Sequence, residues 1–277
     1  MANSGMQWKA CGHVFEFPPT MVMGIVNLTP DSFFDGGRHL DTKAAFSHAL
    51  KLVKDGAGML DIGGESTRPG AMPVDETEEI NRIVPIIKLL VAETDVPISV
   101  DTQKPAVAKA AIAAGAIAIN DIAANRKDDT MRRIVSDTGA GYILMHMQGT
   151  PQTMQNRPEY DDVSAEVEAF FQERLERLDA LGIDTAQVVL DPGIGFGKTA
   201  VHNLELLAKL ERFIRLGRPL LLGASRKSFL GGIVSERLPG SLACAVHAMA
   251  AGVNIVRVHD VRETEQAVKT VEAILSS

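Results

Sequence analysis

The chain has 277 residues, 45% apolar and 23% charged, with 24 Gly and 13 Pro, which excludes a disordered, fibrous or low-complexity chain. Lys and Arg number 28 against 35 Asp and Glu, for a net charge of -7; this argues against a nucleic-acid partner but leaves room for a local anion pocket. Cys11 and Cys244 have neither metal-ligand spacing nor the density of a disulfide framework, and no segment reaches the ~20 apolar residues of a membrane span, so the expected protein is cytoplasmic with no membrane partner.

In chain order, residues 1–20 read as an N-terminal extension whose short strand or hairpin closes the bottom of the main domain, residues 21–277. The start, MANSGMQWKACGHVF, lacks the basic region and apolar run of a secretory leader. MVMGIV at Met21 to Val26 is the first strand. Six later phrases repeat one pattern, a helical stretch ending near a glycine with an apolar run just after it: DGAGML at Gly56, AGAIAI at Gly115, TGAGYIL at Gly139, LGIDTAQVVL at Gly182, LGRPLLL at Gly217 and AGVNIV at Gly252. Glycine ends a helix in the left-handed conformation without a Cβ penalty, so each phrase suits a short helix-to-strand connection. AETDVPISV makes a seventh junction with Asp95 and Pro97. The continuous apolar runs fit strands buried on both faces.

Between the strands the apolar spacing turns helical. Ile80, Ile83, Val84 and Ile87 mark a helix that Pro85 is placed to kink; Val163, Val167, Phe170, Phe171, Leu175 and Leu178 mark another, and Val268, Val271 and Ile274 a last one. Ser241 is expected to start a helix of small residues, and His247 to pack within it. Eight strand-helix units favour one α/β domain, a (β/α)8 TIM barrel with a short N-terminal extension. The alternative is a doubly wound sheet, whose nucleotide-binding form would carry G-x-G-x-x-G where this chain has NLTPDSFFDGG. Loops around residues 28–40, 63–75 and 147–158 are long enough to rim an active site.

A polar residue stands at or just beyond most strands: Asn27, Asp61, Asp101, Asn120, His146, Asp191 and Arg257, with His259 two residues on. A barrel gathers its strand C-termini at one mouth, so these residues can meet around one ligand. Singly, each carboxylate could equally cap a helix. Asp101, Asn120 and Asp191 suit the N-H and C=O edges of a polar heterocycle, with Met145 and Phe196 as apolar faces. Arg68, Arg226, Lys227, Arg257 and His259 come from different loops and suit a phosphate; Arg226 fits a surface ion pair equally well. GxGxGK at Gly193 to Lys198 falls short of a P-loop, and neither a zinc motif nor a serine nucleophile elbow occurs.

MVMGIVNLTPDSFFDGG, DIGGESTRPGA, SVDTQKP, AINDI, LMHMQG, DPGIGFGK, GASRKSF and IVRVHD follow one another over residues 21–262, and together they closely resemble the dihydropteroate synthase family. The resemblance implies a transferase that joins 4-aminobenzoate to 6-hydroxymethyl-7,8-dihydropterin diphosphate, releasing diphosphate and forming 7,8-dihydropteroate. It implies a pterin set of Asp101, Asn120, Met145, Asp191, Phe196 and Lys227. Asn27, Arg257 and His259 are implied for diphosphate, with Asn27 also near Mg2+. Thr67, Arg68, Pro69 and Ser225 are implied for 4-aminobenzoate. Asp101, Lys227, Arg257 and His259 are the implied catalytic residues, sulfonamides the expected inhibitors and a homodimer the expected assembly. Two alternatives stay open: a pterin-binding barrel resembling folate-dependent methyltransferase domains, which has no need of Arg68, SRKS or RVH, and a catalytically silent pterin-binding scaffold.

Overall fold

The apolar runs form parallel strands in the computed structural model, which describes residues 6–28, 38–66, 71–124 and 128–276, with residues 38–41 by backbone alone. A hairpin comes first, β1 (Gln7–Ala10) pairing antiparallel with β2 (His13–Glu16). Strands and helices then alternate: β3 (Met21–Asn27), α1 (Arg38–Lys54), β4 (Met59–Gly63), α2 (Glu76–Glu93), β5 (Ile98–Asp101), α3 (Pro105–Ala113), β6 (Ala118–Asp121) and α4 (Thr130–Thr138). The second half continues with β7 (Gly141–Met145), α5 (Val163–Ala180), β8 (Val188–Asp191), α6 (Ala200–Ala208), α7 (Leu210–Ile214), β9 (Leu221–Leu222), α8 (Arg237–Ala251), β10 (Ile255–Val258) and α9 (Val261–Leu275).

Eight strands pair in the order β8-β7-β6-β5-β4-β3-β10-β9, all parallel. A parallel bridge from Leu190 to Leu220 brings the two edges together, so the sheet is a nearly closed (β/α)8 barrel. The six junction glycines all take positive φ, between +67° and +111°, as short left-handed helix exits require. At the seventh junction Thr94 is extended, its N–H bonded to the Leu90 carbonyl. Helix α2 runs through Pro85.

Successive strand residues face opposite ways. Outward residues such as Val22, Leu60, Ile62, Val100, Ile119 and Val256 pack with Ala45, Leu52, Ile83 and Ile87 of the helices in one continuous core. Inward residues Met21, Met23, Met59, Ala118, Ile143, Val189, Leu221 and Ile255 form a second core with Trp8 and Ala10 of the hairpin. Trp8 is fully buried and donates its indole N–H to the Gln187 carbonyl at 2.8 Å. Gly141 makes room for it, since a Cβ there would lie 2.3 Å from Trp8 Cζ2. The hairpin therefore plugs the end opposite the strand C-termini.

Helix α9 forms where Val268, Val271 and Ile274 mark it, whereas the expected helix start at Ser241 and the packing of His247 need correction. Ile274 is 66% exposed, because α9 buries Val261, Thr264 and Val268 instead. Helix α8 starts at Arg237, so Ser241 sits one turn in, where its Oγ donates to the Arg237 carbonyl and accepts from the Arg226 N–H. His247 lies in α8 but is exposed rather than packed within it, its Nε2 2.7 Å from the Leu207 carbonyl of α6.

Candidate functional site

One step along the same inward alternation, the barrel interior turns polar. Asp61 follows Met59, Asn120 follows Ala118, Asp191 follows Val189 and Arg257 follows Ile255, each two residues on. Strand register sets their neighbours: Asn27 lies beside Gly63, Gly63 beside Asp101, Asp101 beside Asn120, and Met145 beside Asp191.

Asp61 is the hub. Fully buried, it accepts from Ser99 Oγ at 2.5 Å, Asn120 Nδ2 at 3.0 Å and Arg257 Nε at 2.5 Å. Arg257 Nη2 donates to Asp101 Oδ2 at 2.7 Å, so one guanidinium bridges two carboxylates. Burial opposes that positive charge, but Asp61 and Asp101 outweigh it and hold the Arg257 pKa above its ordinary value. At Asp101 burial wins, pushing the carboxyl up to about 7 against the pull of Arg257. Asp101 Oδ1 and Asn120 Oδ1 are buried without a hydrogen-bond partner among the described residues. Orphan buried acceptors cost stability and call for an external donor.

Asp101, Asn120, Met145, Asp191, Phe196, Lys227 and Arg257 line one chamber together with Ile122, Ile194 and Gly223. Asp191 accepts from the Gly193 N–H at 2.8 Å, and burial raises its pKa. Lys227 Nζ sits 4.0 Å from the Phe196 ring centroid, a cation–π contact. Burial lowers that ammonium to about 8. The chamber shares Phe196, Gly223, Lys227 and Arg257 with a cleft of about 710 Å³ whose wall also includes Asn27, Ser66, Met154, Gln155, Ser225, Arg226 and His259. His259 Nδ1 lies 3.1 Å from Ser225 Oγ, which also accepts the His259 backbone N–H at 3.2 Å. Burial, reinforced by Arg257, lowers the imidazole to about 4, so it is neutral at neutral pH.

Ten of the thirteen sequence-predicted site residues thus stand around the chamber and its cleft: Asn27, Asp101, Asn120, Met145, Asp191, Phe196, Ser225, Lys227, Arg257 and His259. Thr67, Arg68 and Pro69 lie outside the described residues. His146 does not join the group. Met145 takes the inward position, so the next side chain turns outward, where His146 meets Phe170 edge-on and Lys198. Arg226 lines the cleft but is ion-paired with Asp260, Nε to Oδ2 at 2.9 Å. The sequence places Asp61 at the mouth without a role as hub and does not single out Ser99, although both keep the phase of the inward residues around them.

Among the described residues no group of three or more His, Cys, Asp and Glu side chains is placed to hold a metal. An Mg2+ that arrives on a phosphate ligand and keeps several waters needs only one or two protein oxygens. Asn27 meets that need. Its Oδ1 lies beside Gly63 of β4, 3.7 Å from where a Cβ on that residue would stand, on the same cleft wall as Arg257 and His259. Chemically, the arrangement offers buried acceptors to a planar polar ring and, at the rim, cationic and neutral donors to an anion.

Residues 23–259 match the model of the pterin binding enzyme family. Among curated relatives, the dihydropteroate synthase of Escherichia coli strain K12 is 48% identical over 276 residues, 98% of each chain. Among solved structures, Yersinia pestis dihydropteroate synthase in complex with a sulfonamide drug is 45% identical with a TM-score of 0.91, covering 98% of this chain and 100% of that one. Xanthomonas albilineans dihydropteroate synthase with 4-aminobenzoic acid also has a TM-score of 0.91, at 44% identity, covering 98% and 99%.

Proposed function

The chain belongs to the dihydropteroate synthase family, and from that premise we infer that it condenses 6-hydroxymethyl-7,8-dihydropterin diphosphate with 4-aminobenzoate, forming 7,8-dihydropteroate and diphosphate in folate biosynthesis. It is a pterin-binding transferase and a sulfonamide target. The observation that carries the reading from this chain's own residues is the pair of orphaned buried oxygens, Asp101 Oδ1 and Asn120 Oδ1, in a chamber that also holds Asp191 and Lys227.

In this reading the pterin ring enters the chamber. Asp191 and Asn120 face its amino-pyrimidine and amide edges, Lys227 takes an acceptor on the ring, and Met145 and Phe196 cover its faces. Arg257 and His259 receive the diphosphate at the chamber's opening, and Ser225, with Thr67, Arg68 and Pro69, forms the 4-aminobenzoate side of the cleft. Mg2+ bound by the diphosphate and Asn27 would neutralise charge on the leaving group. A homodimeric assembly follows from the family resemblance, and a cytoplasmic location accords with two cysteines that are both free.

The chemistry is a substitution at the pterin's exocyclic methylene. The carbon–oxygen bond breaks with its electron pair leaving on diphosphate; the amine lone pair forms the carbon–nitrogen bond, and the amine proton passes to solvent. Arg257 stabilises the negative charge that develops on the departing oxygen, and the Asp101 carboxylate the positive charge that spreads into the ring. Positive charge on the ring also favours the ionised form of Asp101, which burial alone disfavours. An aromatic amine is already nucleophilic, so the protein's task is to align it and keep water from the cation. The test is a steady-state assay with both substrates and Mg2+, following dihydropteroate by mass. Product that requires both substrates is expected; pterin binding without product would favour a silent pterin-binding protein.

A further inference from the structure

Lys198 is 3% exposed, yet among the described residues it makes no ion pair. Its Nζ lies 2.9 Å from His146 Nδ1, 3.0 Å from the Phe196 carbonyl and 3.3 Å from the His146 carbonyl. An ammonium whose hydrogen-bond partners are all neutral, with the Asp191 carboxylate acting on it only from beyond ion-pair distance, is a costly thing to bury. The environment reflects this: burial lowers Lys198 to about 7 and drives His146 well below its ordinary value. A methionine of similar length would pack the same space without that cost, so stability alone gives no reason for a lysine here.

The contacts join two elements. His146 follows β7, and Phe196 belongs to the loop that follows β8. The loop lies flush on the β7 end: a Cβ on Gly193 would be 1.9 Å from the His146 carbonyl oxygen, and one on Gly197 would be 2.5 Å from that of Gln148. This loop carries the ring under Lys227 Nζ and the N–H that Asp191 accepts. Other bonds hold its outer side: the Gly195 N–H donates to Asn203 Oδ1, and the Tyr160 hydroxyl donates to the Gly197 carbonyl. Lys198 holds the Phe196 carbonyl from beneath.

We propose that Lys198 is a positioning residue for the pterin diphosphate: by tying the Phe196 carbonyl to His146, it fixes the Phe196 ring and the Asp191 carboxylate in the geometry that receives the pterin. This rests on the chamber being the pterin site. His146 is the second half of the device. Its Nδ1 accepts from the ammonium, which leaves the ring proton on Nε2.

The test compares Lys198→Met, His146→Asn, which keeps an acceptor near the Nδ1 position, and His146→Leu, which removes it. Steady-state constants for each substrate are measured at saturation of the other, together with the melting temperature. Lys198→Met is expected to raise KM for the pterin diphosphate about tenfold without lowering the melting temperature. Its KM for 4-aminobenzoate should stay within about twofold of wild type, as suits a defect confined to the pterin side. His146→Leu should reproduce this split and His146→Asn should largely restore wild-type values. An unchanged pterin KM in Lys198→Met, or losses in both substrates that track a lower melting temperature, overturns the proposal; if Lys198→Met does not fold, the His146 pair decides. Failure of the wild-type protein to make product would instead count against the function itself, and calorimetric pterin titration of the same variants would still judge the positioning role.

Discussion

The two halves of the barrel interior come from the same strands in the same alternation, yet they are chemical opposites. Below, Met23, Met59, Ala118, Val189 and Ile255 close around Trp8; above, Asp101, Asn120, Asp191 and Arg257 line the chamber with Asp61 bonded behind them, and the loop after β9 adds Lys227. In the lower layer the buried indole N–H of Trp8 finds a carbonyl. The upper layer leaves two buried oxygens without a donor among the described residues. Apolar closure at one end therefore supports, a single residue step away, a polar surface built for something outside the chain, the division between stability and function expected of the two ends of such a barrel.

Removing the plug should give the largest effect, confined to stability. Trp8→Ala is predicted to cost about 3–5 kcal/mol, the range for truncating a large buried aromatic, in denaturant unfolding, with kinetic constants per folded molecule near wild type. A variant that keeps its stability but loses turnover would break the division of the two halves.

The upper layer should respond in the opposite sense. Asp101→Asn keeps the side-chain size and removes a charge that burial disfavours, so stability should change by no more than about 1 kcal/mol. The single-turnover chemical step, with substrates and Mg2+ saturating, should slow about 100-fold as cation stabilisation is lost. An unchanged chemical rate in a folded variant would remove Asp101 from an electrostatic role. Arg257→Ala sharpens the contrast within the layer. It should weaken pterin diphosphate by about 1.5–3 kcal/mol more than a matched pterin without diphosphate. Equal weakening of both in calorimetric titration would mean that Arg257 serves the chamber through Asp61 and Asp101 rather than through the anion.

Much of this contrast was legible in the chain. Six glycines located the helix exits because each junction needs a positive φ that other residues adopt only with strain, and Asp101, Asn120, Asp191 and Arg257 stood where apolar runs end. What was not legible depends on phase and on partners distant in sequence. His146 and Met145 differ by one residue, and that step decides which enters the barrel and which turns to the helices. Asp61 reads like any strand-end carboxylate until folding brings Arg257, 196 positions away, to its oxygen. Trp8 shows no apolar run around it, and its burial depends on the missing side chain of Gly141. Lys198 ends a motif that falls short of a P-loop and so carries no role in the sequence, whereas the folded chain bonds the lysine to the Phe196 carbonyl of the loop.

The smallest effect separates the two rims of the upper layer by pH. His259 is lowered to about 4 by burial and by Arg257, against about 6.5 in an unfolded chain. Between those values the unfolded state takes up a proton that the folded state refuses, so this stabilisation is complete above pH 6.5 and is lost as pH falls through 4. Asp101 runs the other way over the same range: its carboxyl, raised to about 7, is protonated in the folded state first, and acidification from pH 7 toward 4 favours folding. The two trends offset in the wild type. His259→Asn removes only the first, so the variant should gain about 1–2 kcal/mol relative to wild type between pH 6.5 and 4, allowing for solvent at the cleft. His146, also held neutral by burial, is present in both proteins and cancels from the difference. Unfolding curves for the two proteins at half-unit pH steps measure it directly. Parallel stability profiles would mean that the His259 imidazole titrates normally, and that burial and Arg257 do not hold it neutral between pH 6.5 and 4.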